Sequence, residues 1–251
     1  MSHSVFVPPY THPATLLAAL KQQGYALLPA ADVAALSGSA LPALNAFSNT
    51  WHHLAPDQYL KDGGKYRKRR HASFEVQGGQ ANLAPHRAHW QPVEYNALHG
   101  GMERWFEPMD LAQNTPNIIA ACAILAWLST ISDALFGVQN WYAEAHQFRI
   151  DTEGGIGRPT PEGAHRDGVH LVAVFLVARH QVKGGETRVF DAAGPAGVRF
   201  TLTEPWSVLL LDDARMIHET TPIQPIAQEA YRDTLVVTLR AKSFQDAVFI
   251  A

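Results

Sequence analysis

Gly163-Ala164-His165-Arg166-Asp167-Gly168-Val169-His170 is the stretch that decides how this chain folds. His165 and Asp167 stand two residues apart, and in an extended segment residues i and i+2 project to the same side. One imidazole and one carboxylate then converge on one point. A second imidazole, His218, lies on a predicted strand just after the Asp212-Asp213 turn and completes a face of three ligands. Two imidazoles and a carboxylate on one face bind a divalent transition metal and leave the opposite positions open to further reactants.

Working outward, Arg232 follows His218 by fourteen residues, with Thr234 two residues beyond it. The ordered set His165-x-Asp167, His218, Arg232-x-Thr234 resembles the signature of Fe(II)/2-oxoglutarate-dependent dioxygenases, with Thr234 where that family more often has serine. The blocks Glu144-Ala-His-Gln-Phe-Arg149, Pro159-Thr-Pro-Glu-Gly-Ala-His165 and Val182-Lys-Gly-Gly-Glu186 resemble a narrower group. These are the bacterial hydroxylases of free aliphatic amino acids, the L-isoleucine 4-hydroxylase type. The likeness runs from about Tyr66 to Leu239.

The resemblance implies a double-stranded β-helix: a mainly β jelly roll, cupin-like, with flanking helices (α+β) and a helical N-terminal part packed on one sheet. It implies Fe(II), 2-oxoglutarate and O2, with ascorbate in a supporting role. His165, Asp167 and His218 would hold the metal, and Arg232, Thr234 and Gln147 the cosubstrate. The implied reaction hydroxylates a free Leu-, Ile- or Met-like L-amino acid and releases succinate and CO2. Two alternatives stand beside it: the same chemistry on another small metabolite, and a metal-binding jelly-roll sensor without turnover.

Composition agrees with a soluble enzyme. At 251 residues and 47% hydrophobic, the chain can bury a sizeable core within one domain. Residues 1–139 read as a helical and substrate-lid part, and 140–251 as the jelly-roll core. A net charge of −3 gives no general attraction to nucleic acid or to an anionic membrane. The single cysteine, Cys122, excludes an internal disulfide framework and reads as a small core residue. Met1 to Thr11 lacks the basic start and apolar stretch of a secretory signal. The apolar run Ile118 to Leu128 is shorter than the ~20 residues that span a bilayer. A reducing cytoplasmic setting is expected.

Along the chain, Pro13 to Gln23 reads as a helix stopped by Gly24, and Tyr25 to Pro29 as a strand. Ala30 to Leu54 is helical with a break near Ser37-Gly38-Ser39. Asn114-Thr115-Pro116 opens an apolar helix that Gly137 closes. From Asn140 onward the pattern is strands: Trp141 to Asp151, Val169 to Ala178, Thr187 to Asp191, Gly197 to Thr203, Trp206 to Leu211, Ala214 to Thr220 and Tyr231 to Ala241. Asp212-Asp213 reads as a hairpin turn. Helices followed by seven closely spaced strands suggest a jelly roll behind a helical N-terminal part.

Three further groups are candidates. The basic run Lys65-Tyr-Arg-Lys-Arg-Arg-His71 is a solvated loop, a phosphate patch, or a source of substrate-binding arginine; the resemblance favours Arg67, Arg69 or Arg70 gripping a carboxylate. Tyr95, Trp105, Phe106 and Glu107 form either an apolar slot with an ammonium anchor or ordinary packing with an exposed acid. Gln147 and Arg149 line the pocket or make structural hydrogen bonds. Of the 13 histidines, His86, His89, His146, His170 and His180 read as packing or surface residues.

Overall fold

The computed structural model describes residues 6–61 and 63–246. Residues 1–5, the start of the segment read as lacking a signal, lie outside them. The strands are β1 (Tyr25–Leu28), β2 (Ala55–Pro56), β3 (Arg67–Gln77), β4 (Gln80–Leu83), β5 (Trp141–Asp151), β6 (Leu171–His180), β7 (Val182–Gly184), β8 (Thr187–Asp191), β9 (Gly197–Phe200), β10 (Val208–Asp212), β11 (Met216–Thr220), β12 (Ile223–Pro225) and β13 (Tyr231–Ala241). The α-helices are α1 (Leu16–Gln23), α2 (Ala30–Ser37), α3 (Leu41–Phe47) and α4 (Pro116–Phe136).

The major sheet runs β1-β10-β6-β13-β5-β3-β2, with β4 paired to β3. A second sheet, β11-β8-β9, and a ribbon, β12-β7, complete the jelly roll. Strand pairing is antiparallel throughout, so each strand can present one face to the helices and the other to the sandwich interior.

The helices cover the outer face of the major sheet. Leu235, Val237 and Leu239 of β13 share a core there with Ile124, Leu125 and Leu128 of α4. β6 is apolar from Leu171 to Ala178 because both its faces are covered: Leu171, Ala173 and Phe175 meet the helical core, while Val172 and Leu176 meet Val189, Phe200 and Met216 beneath the small sheet. α4 is long and apolar enough to cross a bilayer by length and composition alone. Here it is the central core helix, burying Ala120, Ile124, Trp127, Leu128 and Ile131 among others. Cys122 is free, and its thiol donates to Ala81 O at 3.4 Å at the edge of this core. Gly24 caps α1 in the left-handed conformation, φ 78°, a position that disfavours a side chain.

The helical N-terminal part also supplies strands to the major sheet: β1, expected from Tyr25 to Pro29, and β3, and the basic run is not a solvated loop but the start of β3. Asp212-Asp213 does not close a hairpin either: β10 pairs with β1 and β6, and β11 with β8. The turn instead carries the chain from one sheet to the other. The Asp213 carboxylate fixes that crossing by accepting hydrogen bonds from the backbone N–H groups of Asp167, Gly168 and Val169 at 2.9, 2.8 and 3.0 Å.

Candidate active site

The core beneath the small sheet fills one end of the sandwich. The other end holds a cavity of about 940 Å3 including its mouth. Strand alternation decides what faces it. Arg232, Thr234, Val236 and Thr238 of β13 line the cavity, as do Glu144, His146, Phe148 and Ile150 of β5, while their odd-numbered neighbours point outward.

His165 and His218 are joined by a two-residue antiparallel bridge: His165 N–H donates to His218 O at 3.0 Å, and His218 N–H to His165 O at 2.9 Å. The bridge brings the imidazoles to 4.6 Å between ring centroids. His165 Nε2 lies 3.9 Å from Asp167 Oδ1, and ligand atoms of His165, Asp167 and His218 all lie within 4.8 Å of one another. His165 Nδ1–H donates to Gly163 O at 2.9 Å, which leaves the Nε2 lone pair for a metal. Gln91 Nε2 donates to Asp167 Oδ1 at 3.2 Å and orients the carboxylate.

The electrostatics fit a cation at this point. Burial raises the Asp167 pKa against the pull of His165. Burial opposes charge on His165 too, but Asp167 and Glu162 outweigh it and raise its pKa. His218 is held well below the ordinary range by burial and by His165, so it is neutral, and its Nδ1 has no partner among the described residues. A buried carboxylate, two imidazoles and an unsatisfied ring nitrogen are groups that a divalent ion would satisfy.

Arg232 is 3% exposed, lines the same cavity, and has no hydrogen-bond partner for its Nε. None of the ion pairs among the described residues includes it, so Asp212, Asp213 and Asp233 do not claim it. Burial and the neighbouring Arg179 lower its pKa only to about 10, and it stays charged at neutral pH. With Thr234 beside it, this guanidinium fits the far carboxylate of a bound dicarboxylate, and the three-ligand face fits ferrous iron.

Other sequence-chosen residues divide by strand face. Gln147 and Arg149 do not reach the cavity. Gln147 donates to Thr50 Oγ1 at 2.6 Å, and Arg149 makes a two-pronged ion pair with Asp233 at 2.8 and 2.7 Å. Arg70, on the same face of β3 as Lys68, also points away, whereas Arg67 and Arg69 face in. The aromatic slot is not formed. Trp105 is 54% exposed, Glu107 is exposed, and Phe106 is buried under Arg69, 3.7 Å from the guanidinium carbon to the ring centroid. Tyr95 is outside the cavity but buttresses the metal motif: a Cβ on Gly168, φ 76°, would meet its ring at 2.5 Å. His170 is a packing residue, as expected, set against Phe136 and Trp141.

A second polar cluster sits on the wall opposite Arg232. His71 Nε2–H and His89 Nδ1–H donate to the two oxygens of Glu144 at 3.1 Å each. Arg69 Nη2–H donates to His146 Nδ1 at 2.7 Å. Burial lowers the pKa of all three imidazoles, His89 to about 4, so they are neutral, while His89 and His71 outweigh burial and hold Glu144 well below the usual carboxylate range. Ligand atoms of these four residues also lie within 4.8 Å of one another, but His146 is capped by a guanidinium, which marks a hydrogen-bonded network and not a cation cage. The sequence carried a signal for it. Glu144 and His146 have the same i, i+2 spacing on a strand as His165 and Asp167. Arg104, Gln91 and Glu162 also line the cavity, and no motif pointed to the first two.

The comparisons agree with this geometry. Residues 48–238 match the model of the 2OG-Fe dioxygenase family. A crystal structure of a bsmA homolog from Methylobium petroleophilum PM1 is 50% identical, with a TM-score of 0.88, covering 98% of this chain and 100% of that one. IDO from Bacillus thuringiensis shares the fold at 16% identity and a TM-score of 0.70, covering 97% and 99%. The Fe(II)/α-ketoglutarate-dependent dioxygenase TqaL does so at 18% and 0.64, covering 94% and 92%. Among curated proteins none shows significant similarity. With the matched region spanning most of the jelly roll and a metal-competent triad inside it, the chain belongs to the 2OG-Fe dioxygenase family and is a 2-oxoglutarate-dependent non-haem iron dioxygenase.

Proposed function

We propose that this dioxygenase hydroxylates a free aliphatic L-amino acid of the Leu, Ile or Met type in the cytoplasm. One observation carries the reading: the walls of the cavity that holds the triad divide into apolar surface and buried arginine. Val169, Val174, Val236 and Ile150 supply the apolar part, and Arg67, Arg69 and Arg104 the basic part. Arg232 and Thr234 line the same cavity as the triad, so a small metabolite would sit beside the cosubstrate. The sequence blocks shared with free amino acid hydroxylases support the same class.

In this reading His165, Asp167 and His218 hold Fe(II), and Arg232 with Thr234 holds the distal carboxylate of 2-oxoglutarate. Bound iron, with 2-oxoglutarate and O2, supplies the oxidising power that inserts oxygen into a C–H bond and leaves succinate and CO2. The chain's own contribution is positioning and exclusion of water. Gln91 steadies Asp167, and Gly163 O fixes the His165 tautomer. The apolar wall holds an unreactive aliphatic side chain close to the metal face.

The test is a panel of free L-amino acids incubated with the protein, Fe(II), 2-oxoglutarate and ascorbate. A mass gain of one oxygen on an aliphatic member, matched by one succinate, is expected. Oxygen gain confined to peptides, nucleotides or other metabolites would overturn the substrate class.

A further inference from the structure

The geometry points to Arg104 and Glu162 as the two poles that recognise the prime substrate, Arg104 taking an α-carboxylate and Glu162 an α-ammonium. This rests on the amino acid reading above.

Arg104 is 2% exposed and lines the cavity. Its Nη2–H donates to Gln91 Oε1 at 2.9 Å, its Nε has no partner, and none of the ion pairs among the described residues includes it. Burial brings its pKa to about 10, so it is charged at neutral pH. A charged guanidinium enclosed without an acid is costly, and an anion placed against it removes that cost. The other arginines facing the cavity have partners or another role. Arg67 pairs with Asp57 at 2.7 Å. Arg69 lies 3.8 Å from the same carboxylate and is stacked on Phe106 and Phe148. Arg232 stands with Thr234 for the cosubstrate. Arg104 is the guanidinium left for the substrate.

Glu162 is the matching acid. It lines the cavity, its Oε2 is buried without a partner, and its Oε1 lies 3.7 Å from His165 Nε2. An ammonium group would satisfy the idle oxygen. The charge balance of the whole cavity asks for such a guest. Arg67, Arg69, Arg104 and Arg232 of the lining are matched by Glu144, Glu162 and Asp167 of the lining and by Asp57 behind Arg67 and Arg69. A divalent metal and a dianionic cosubstrate then cancel each other. The loaded cavity therefore suits a molecule with no net charge and two separated poles, a zwitterion, better than a dicarboxylate or a diamine. Gln91 links the poles to the metal: it accepts from Arg104 and donates to Asp167.

The test measures binding and turnover of L-leucine, leucinamide (no carboxylate) and 4-methylpentanoic acid (no amine). Binding is read by calorimetry on Mn(II)- and 2-oxoglutarate-loaded protein without O2. Wild type is expected to prefer leucine to either analogue by about 100-fold, the scale of removing one partner from a buried charge pair. R104Q should erase the preference over leucinamide, and E162Q the preference over 4-methylpentanoic acid. R104K should retain part of the first, and 2-oxoglutarate affinity should stay within about twofold in all three. A wild-type ratio that persists in R104Q or E162Q overturns the assignment. So does loss of 2-oxoglutarate affinity in parallel with leucine. Should R104Q not fold, the analogues still decide on the wild type: discrimination below tenfold overturns the proposal. If wild type neither binds nor oxidises any aliphatic amino acid, the amino acid reading itself falls. If it oxidises leucine while the variants keep wild-type ratios, only the two-pole assignment falls.

Discussion

Arg232→Met should stabilise the metal-free protein while destroying its response to cosubstrate. The guanidinium is buried, its Nε is unpaired, and its pKa falls from 12.5 to about 10. At ~1.36 kcal/mol per pKa unit, this places about 3 kcal/mol of desolvation and repulsion from Arg179 on the folded state. A methionine of similar reach removes that cost. For a chain of this size about 1 kcal/mol shifts Tm by about 2–4 °C, so a rise of about 5 °C is expected after allowing for imperfect packing. The opposite holds once 2-oxoglutarate is present. Two charge-assisted hydrogen bonds of about 1.5–3 kcal/mol each disappear, which raises KM for the cosubstrate by about 100-fold or more. Thermal melting with and without 2-oxoglutarate, in the presence of Mn(II), reads both signs. At 100 times Kd the wild type gains about 2.7 kcal/mol, and the variant should gain nothing at the same concentration. A variant that melts below the wild type without ligand, or that keeps the wild-type shift with it, refutes the reasoning.

Asp167→Asn should abolish stoichiometric Fe(II) binding, measured by metal analysis after desalting, without lowering the Tm of the metal-free protein, because burial already disfavours the Asp167 charge. Gly168→Ala meets both a φ of 76° and the Tyr95 ring; a loss of about 2 kcal/mol or more in denaturant unfolding is expected, together with weaker metal binding. Asp213→Ala strands three backbone N–H donors that the carboxylate now satisfies and should cost several kcal/mol in the same assay. The metal-free protein should lose stability as pH falls from 6.5 toward 4. His71, His89, His146 and His218 have folded pKa values below 6.5, so the unfolded chain binds more protons across that window. His89 alone, at about 4, accounts for about 3 kcal/mol. His99 and His170, also lowered by burial, add to this loss, whereas His165, Asp167, Asp212, Asp213 and Asp233, whose pKa values are raised, act in the opposite sense and blunt it. Unfolding free energies at pH 7.5, 6 and 5 check this, and His89→Phe should flatten the slope.

The jelly roll and the metal face were legible because each rests on local rules. His165 and Asp167 stand two residues apart and meet at one point, although only His165 lies in a β-bridge, and β13 divides into an apolar and a polar face by strand alternation. What stayed hidden depends on pairing between distant strands. Nothing local says that Arg67 sits across from Ile150 and Arg69 from Phe148, which is what turns two members of a basic run inward. Gln147 and Arg149 point away because their adjacent residues His146 and Phe148 face the cavity; strand phase, not chemistry, decides there, and β5 is polar on both faces. Arg104 comes from a segment of short turns with no periodicity to read. It reaches the cavity only because His89 and Arg104 form an isolated bridge that folds this loop over the β5 wall.

The position of β1 in the major sheet has a consequence for biosynthesis. Tyr25–Leu28 pairs with Val208 to Leu211 of β10 at that edge, so a segment translated early must wait for one translated about 180 residues later. At ~5–20 residues per second the interval is about 10–40 s. Throughout it Leu27 and Leu28, fully enclosed in the finished molecule, have no strand to dock against. Slowing elongation should therefore increase aggregation of the nascent polypeptide instead of aiding assembly.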